Sequence, residues 1–291
     1  MPKNFTPISL DEADAYYRLW DAMPVHSIDY SLVNLWGWRG HYGLEWCFQG
    51  GLCWIRQTCP CATVWWAPVG DWEAADWETL LEPGMTFIRV PDRLSTLWRE
   101  RLGERATVEP QRGQWEYLYL RDELARLPGN RFHRKKNHLN SFIRAYGQPA
   151  FHPVDERMIE ECLALQDTWC QWHDCLGSPS LMAENEAINH VLINYNAFRN
   201  LCGGSLYVND EIVAFCLGER LDDDNLGVHV EKGLNRIRGV YQAINNAFVL
   251  SQGGGATFIN RAQDLDEEGL RQAKMTYNPY TFLKKDRVEI A

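Results

Sequence analysis

Residues 225–250 read NLGVHVEKGLNRIRGVYQAINNAFVL, and the second half of the chain is organised around them. Apolar and polar residues alternate over 226–231, which predicts a β-strand. Apolar residues recur at the helical period over 240–250, which predicts an α-helix. The segment between them contains Arg236 and Arg238. The stretch is therefore expected to fold as a strand, a basic loop and a helix.

The start of this predicted helix has the features of a phosphate site. The first N–H groups of a helix have no intrahelical partners, and the helix dipole is positive at that end. Arg236, Arg238 and Gly239 add two cations and a position that permits close approach. A strand, a turn and a helix with an arginine pair also connect elements in many α/β domains. Taken alone, that structural interpretation is favoured.

A short motif supports the functional interpretation. Arg236-x-x-Gly239 resembles the pyrophosphate-binding loop of the GNAT acyltransferases, whose pattern is Arg/Gln-x-x-Gly-x-Gly/Ala. The resemblance implies that the loop binds the phosphates of an acyl donor. Tyr241 departs from the pattern, because the family has a small residue at that position.

The composition excludes several classes of protein. A chain of 291 residues buries roughly 75% of its unfolded surface and can form a sizeable core. The formal net charge of -10 argues against a protein that coats nucleic acid or anionic membrane over a broad surface. The N-terminus lacks the pattern of a signal peptide, and no apolar run approaches the ~20 residues of a spanning helix. We therefore expect a cytoplasmic protein without integral membrane contact.

The nine cysteines are expected to be reduced thiols. The first four lack the paired short spacings of structural zinc sites, and their flanks predict buried strands: Cys47, Cys53, Cys59 and Cys61. A second group lies near one predicted helix end, where a metal is the minor alternative: Cys162, Cys170, His173 and Cys175. We predict no metal and no tightly bound cofactor.

The order of predicted elements indicates an α+β fold with two units. The best boundary is Pro128, which precedes Gly and Asn. After it come helices, three antiparallel strands, a helix, a strand, a helix and a closing strand at 280–288, which is the GNAT order. The predicted domains are 1–127 and 128–291, both GNAT-like with mixed, mainly antiparallel sheets. The second domain carries the donor loop.

A basic helix is predicted just after the boundary. Arg131, Arg134, Lys135 and His138 fall on one stripe, beside an apolar stripe that can dock to a core. Residues 131–144 contain five Arg or Lys and no acid, in a chain that is acidic overall. A solvated interdomain helix and a helix that contacts phosphates or nucleic acid are about equally supported.

These motifs together resemble the phosphatidylglycerol lysyltransferase C-terminal-domain-like family. The matching segments span nearly the whole chain: 34–43, 131–142, 214–219, 231–245 and 259–274. The resemblance implies a tandem of GNAT-like domains related to enzymes that move an amino acid from aminoacyl-tRNA onto lipid or cell-wall acceptors. Lysyl-phosphatidylglycerol synthesis itself is not expected, because the membrane-embedded half of such synthases is missing.

The expected activity is transfer of an acyl or aminoacyl group to an amine or hydroxyl of a small-molecule or peptide acceptor. Acyl-CoA and aminoacyl-tRNA are the two candidate donors. Such chemistry needs an oriented carbonyl, a base and an acid. Glu231 is the predicted base, His229 its substitute on the same strand face, and Tyr277 the predicted acid.

Each of these assignments has a structural alternative. Glu231 would instead pair with Arg261 or Lys274, and Tyr277 would be a core tyrosine. The donor's phosphates are assigned to Arg236, Arg238 and Gly239. If the donor is tRNA, the stripe of Arg131, Arg134, Lys135 and His138 is expected to contact its backbone phosphates. The alternative function is a catalytically inactive GNAT-like module that binds a small ligand or an RNA end.

Overall fold

The computed structural model describes residues 2–60 and 62–291. The chain forms two compact units, each built of α-helices and a β-sheet. The first comprises the chain up to Glu116 together with 263–267 and 282–291, and the second comprises 117–262 and 268–281. The predicted α+β fold class is confirmed. The predicted boundary at Pro128 lies within the second unit.

The helices have these bounds: α1 Ala13–Trp20, α2 Leu32–Tyr42, α3 Trp77–Leu80, α4 Asp92–Leu102, α5 Arg121–Arg126, α6 His133–Tyr146, α7 Glu156–Trp172, α8 Pro179–Ile193, α9 Val240–Gln252 and α10 Glu268–Met275. The strands have these bounds: β1 Thr6–Pro7, β2 Leu44–Gln49, β3 Leu52–Gln57, β4 Val64–Trp66, β5 Val69–Gly70, β6 Thr86–Pro91, β7 Ala106–Pro110, β8 Glu116–Leu120, β9 Phe151–Pro153, β10 Leu201–Val208, β11 Glu211–Arg220, β12 Asn225–Gly233, β13 Phe258–Asn260, β14 Thr281–Leu283 and β15 Lys285–Ile290. Within residues 2–60 and 62–291, no helix is long and apolar enough to cross a membrane.

The sheet of the first unit has the order β1-β2-β3-β4-β6-β15-β7, with β5 paired to β3. The β4–β6 pair is parallel and the other pairs are antiparallel. Helix α4 packs beside this sheet, and the Trp98 ring lies 4.7 Å from Phe87 and 5.3 Å from Trp77. The tryptophans of this half therefore form its core.

The C-terminal strand differs from the prediction. Residues 280–288 were expected to close the sheet of the second domain. Strand β14 does so, beside β8, but β15 pairs with β6 and β7 in the first unit. The local sequence alternates as a strand should, but alternation does not encode which sheet the strand joins.

A buried ionic cluster fixes the start of β15. Lys285 Nζ donates to Asp29 and, at 2.5 Å, to Glu116, and Arg89 donates to Asp29 at 2.8 Å. Burial raises the pKa of Asp29, but Lys285 and Arg89 outweigh it and lower that pKa overall. Two carboxylates and two cations thus balance one another inside the first unit.

The second unit follows the predicted GNAT order. Its sheet runs β14-β8-β13-β12-β11-β10-β9. Strands β12 and β13 are parallel, and the other pairs between β8 and β9 are antiparallel. Helix α9 packs on this sheet beside α6, with most of its apolar residues buried and Leu250 exposed. The stretch 225–250 is therefore a strand, a loop and a helix, as predicted.

The prediction of reduced thiols is wrong for one pair. Cys170, in the last turn of α7, and Cys175, just after it, form a disulfide with their Cα atoms 5.1 Å apart. The helix end folds back within five residues and brings the two thiols together. Their sulfurs are bonded to each other, which removes them as metal ligands.

Candidate functional site

The loop between β12 and α9 begins at Gly233 and ends at Gly239, the N-cap of α9. Gly239 has a φ of +82°, in the left-handed region that favours glycine. A Cβ atom added there would overlap the carbonyl oxygen of His138 in α6. The close approach that glycine permits is thus to a neighbouring helix, and it brings the loop against the basic helix.

The two loop arginines are both exposed. Arg236 donates to Glu211 at 2.5 Å, in an ion pair whose side chains are 44% and 62% exposed.

Tyr241, the residue that departs from the GNAT pattern, is turned inward. Its hydroxyl donates to the Gly233 carbonyl at 3.2 Å and accepts from Trp169 Nε1 at 3.0 Å. Burial raises the pKa of Tyr241.

Glu231, the predicted base, lies near the end of β12 and is mostly buried. One carboxylate oxygen accepts from Asn245 Nδ2 of α9 at 2.6 Å, and the other accepts from Arg261. Of the two partners suggested by the sequence, Arg261 is therefore the one that pairs with Glu231. Lys274 instead donates to the backbone carbonyl of Arg261.

Arg261 follows β13 and its guanidinium lies 4.7 Å from the ring centre of Tyr277 and 5.9 Å from that of Tyr119. Burial lowers the pKa of Arg261, but Glu231 and the two tyrosines outweigh burial and raise it overall. Arg261 is therefore a permanent cation held between one carboxylate and two aromatic rings.

Tyr277, the predicted acid, is buried. Its hydroxyl lies beside the side chains of Gln242 of α9 and Arg261, both of which lower its pKa. Burial raises the pKa of Tyr277, and Arg261 opposes that shift only in part. The phenol is therefore protonated at neutral pH, and it touches the guanidinium that holds Glu231.

The predicted phosphate stripe of α6 divides in the structure. Lys135 Nζ lies 3.9 Å from the ring centre of Tyr277, and burial, with the nearby charge of Arg261, lowers the pKa of Lys135 to about 8. Arg131 is paired with Glu123. Arg134 and His138 are exposed. The stripe thus contributes one cation to the Glu231 cluster and leaves two residues on the surface.

His229 lies apart from this cluster. Its Nε2 is 3.0 Å from Glu219, and both side chains are buried. Leu217 pairs with Val230 and Gly218 with Val228, so His229 is the bulged residue of β12. Strict alternation would place His229 beside Glu231, but the bulge interrupts it. The two residues share no described partner in residues 2–60 and 62–291.

The contributions of α9 were missed from the sequence. Gln242 and Asn245 are three residues apart and so lie on one face of the helix, where they contact Tyr277 and Glu231. Polar residues amid the buried apolar face of α9 were the available signal. Glu231 lies in β12, 14 residues before Asn245, but Tyr277 follows α10 and lies too far along the chain to be inferred from spacing.

Comparison with known proteins agrees with this architecture. The family model described as "Phosphatidylglycerol lysyltransferase, C-terminal" matches residues 21–285. A crystal structure of a conserved protein of unknown function from Bacteroides thetaiotaomicron is 30% identical, covers 100% of both chains and has a TM-score of 0.88. The similarity to that protein extends over the whole fold.

More distant relatives have lower sequence identity to this chain. L-PGS from Bacillus licheniformis is 12% identical, with 95% of this chain and 91% of that chain covered and a TM-score of 0.63, which shows the fold alone. An uncharacterised protein of Mycoplasmoides gallisepticum is 22% identical over 174 residues. That match spans 60% of this chain and 56% of the relative's length. Since the family model covers nearly the whole sequence, this chain belongs to the phosphatidylglycerol lysyltransferase C-terminal family.

Proposed function

We propose that the second unit transfers an acyl or aminoacyl group to an amine or hydroxyl, with the Glu231–Arg261–Tyr277 cluster as its reaction site. The observation that carries this proposal is the convergence of a carboxylate, a guanidinium and a phenol at the start of α9. Asn245 is six residues beyond Gly239, about 9 Å along the helix axis. The reaction site and the loop for the donor's phosphates are therefore neighbours on one helix.

Each member of the cluster has a role in this chemistry. The acceptor's N–H or O–H attacks the donor's carbonyl carbon, and Glu231 takes the proton as the new bond forms. Arg261, with Lys135 nearby, faces the negative charge that develops on the carbonyl oxygen. The bond to the leaving oxygen or sulfur then breaks, and Tyr277 donates a proton to that atom. Glu231 can return its proton to Tyr277 through solvent.

The donor is assigned to the loop and to the exposed part of α6. Arg236, Arg238 and the first N–H groups of α9 would hold phosphates next to the reaction site. Arg134 and His138 extend this surface along α6, where a longer polyanion bound at the loop would reach them. An aminoacyl-tRNA would use both regions, whereas acyl-CoA would need the loop alone.

The test is transfer from aminoacyl-tRNA and from acetyl-CoA to a panel of small amines and alcohols. Glu231→Gln is expected to lower the rate at least about 100-fold, the lower range for general base catalysis. Glu267→Gln, an exposed acid outside the cluster, serves as the control and should leave the rate unchanged. Equal rates for both variants and the parent would contradict the assignment of Glu231.

A second candidate function is a binding module without catalysis. This function is favoured because both carboxylate oxygens of Glu231 already accept hydrogen bonds from protein side chains. Such a module would bind the donor's nucleotide with the same affinity in the parent and in Glu231→Gln, and neither would turn over any acceptor. Turnover by the parent excludes it.

A further inference from the structure

A small cleft, about 30 Å³ in volume and open to the surface, lies where the end of α7 meets the loop after β12. Its walls include three aromatic residues of α7 and the turn that follows, Trp169, Trp172 and His173. The opposite side is formed by Leu234, Asn235 and Arg236. Of these residues, the sequence assigns Arg236 to the donor loop and His173 only to the minor metal alternative.

The aromatic wall is held in place. The rings of Trp169 and His173 are stacked, with centroids 3.9 Å apart and planes 15° apart. His173 Nδ1 is 2.8 Å from the Trp169 carbonyl and its Nε2 is 2.9 Å from Asn235 Nδ2. The tautomer with the proton on Nδ1 satisfies both bonds. The Cys170–Cys175 disulfide closes the adjoining turn.

Trp172 is the unusual member of this wall. Its side chain is 73% exposed, although an indole buries more apolar surface than any other side chain when it can. Six other tryptophans of the chain are fully buried. An exposed indole beside a cleft offers a flat apolar face on which a planar ring can stack.

The polar groups of the cleft select the kind of ring. The Asn235 amide can bond the edge of adenine, a pairing that asparagine makes with this base. Arg236 adjoins it and supplies a cation for phosphate. The Arg236–Glu211 pair is exposed, and such pairs contribute little, so a phosphate can displace the carboxylate. A cationic ligand is disfavoured by the same arginine.

We propose that this cleft binds an adenine nucleotide, with the base stacked on Trp172 beside the Trp169–His173 wall and a phosphate on Arg236. This inference rests on the proposed function, because coenzyme A and the 3′ end of an aminoacyl-tRNA both carry an adenosine. The shared chemistry is an adenine, a ribose and a phosphate. The cleft would anchor the donor at the loop and leave its acyl group free to reach the Glu231 cluster.

Binding is measured by calorimetry and tryptophan fluorescence, with adenosine 3′,5′-bisphosphate as the coenzyme A fragment and the trinucleotide CCA as the tRNA fragment. Trp172→Ala should weaken binding about tenfold or more, because a stacked base is lost. Trp172→Phe should keep most of the affinity and lose most of the fluorescence quench. Leu176→Ala is the control, since Leu176 is 88% exposed and does not line this cleft.

Two further variants test the phosphate contact. Arg236→Gln should weaken binding about tenfold, since a charge-assisted contact is lost. Glu211→Gln releases Arg236 from its partner and should strengthen binding roughly two- to fivefold. Opposite effects from the two members of one ion pair are not expected from general destabilisation. Thermal melts of each variant show that it is folded.

The fragments also identify the source of the nucleotide. Binding of the bisphosphate alone indicates coenzyme A, and binding of CCA alone indicates tRNA. The proposal is overturned if neither fragment binds, if inorganic pyrophosphate binds as tightly as the bisphosphate, or if Trp172→Ala binds like the parent. Because these assays need no turnover, nucleotide binding without any transfer would contradict only the proposed function. Transfer by the parent, together with normal fragment binding by Trp172→Ala, would contradict only the cleft proposal.

Discussion

Gly239 at the start of α9 packs against the carbonyl oxygen of His138 in α6, with no room for a Cβ atom between them. This contact joins the two basic segments that the sequence placed more than ninety residues apart. The basic helix and the donor loop are therefore one surface. The same contact makes Gly239 a position where glycine is required twice, for its φ and for its lack of a side chain.

Gly239→Ala is expected to lower the free energy of unfolding by about 2–4 kcal/mol, because left-handed strain and overpacking add. Gly255→Ala is the matched control. Gly255 has a φ of +80° but open space around it, so only the strain of about 1 kcal/mol remains. Urea unfolding gives both values. Equal losses in the two variants would show that the contact with His138 is not tight.

Breaking the Glu231–Arg261 pair should destabilise the second unit. Both side chains are mostly buried, at 11% and 16% exposure, so Arg261→Met leaves a carboxylate without its cation and should cost about 3 kcal/mol. The double variant Glu231→Gln with Arg261→Met should recover much of this loss. Denaturant unfolding of the full cycle measures the coupling. A double variant whose loss equals the sum of the single losses would contradict a direct pair.

Lys135 gives the protein a specific dependence of stability on pH. Its pKa is lowered to about 8, below that of a lysine in the unfolded chain, so the unfolded state binds more protons between about pH 8 and pH 10. The contribution of Lys135 to the free energy of unfolding therefore rises with pH in that window. Below pH 8, the full cost of burying the charged Lys135 is present. The stability difference between the parent and Lys135→Met should move in favour of the parent from pH 7 to pH 10. Lys136→Met, an exposed neighbour, should show no such change.

Salt dependence separates the two donors. If the donor is aminoacyl-tRNA, Arg134 contacts a backbone phosphate, and Arg134→Ala should reduce the log–log salt slope of tRNA binding by about 0.7–0.9. Arg18→Ala, an exposed arginine of α1, is the matched control with the same loss of charge. Fluorescence titrations at several salt concentrations give the slopes. A slope that is the same in Arg134→Ala and the parent removes tRNA contact from α6.

The strand, loop and helix at 225–250 could be predicted because their signals are local: alternation, a glycine and a helical period. The orientation of the Lys135 side chain could not be predicted. A helical wheel places Arg134 and Lys135 on one stripe, but only the packing of α6 turns Lys135 towards Tyr277 and leaves Arg134 exposed. Arg261 was foreseen as one of two partners for Glu231, since charge alone could not choose between it and Lys274. The bulge that separates His229 from Glu231 depends on the register with β11, which no local pattern contains.

The strand β15 and its Lys285 set the order in which the protein can be completed during synthesis. The first unit contains the N-terminus, yet its sheet needs β15 between β6 and β7, and the carboxylates of Asp29 and Glu116 need Lys285. Domains generally fold as they leave the ribosome, beginning with the N-terminal one. Here the emerging first unit must wait for β15, with Arg89 as the one cation of the cluster beside Asp29 and Glu116 and with an open gap in its sheet. The sheet of the first unit is thus completed only after the second unit has been synthesised, and a nascent chain stalled before Lys285 would be a substrate for chaperones and proteases.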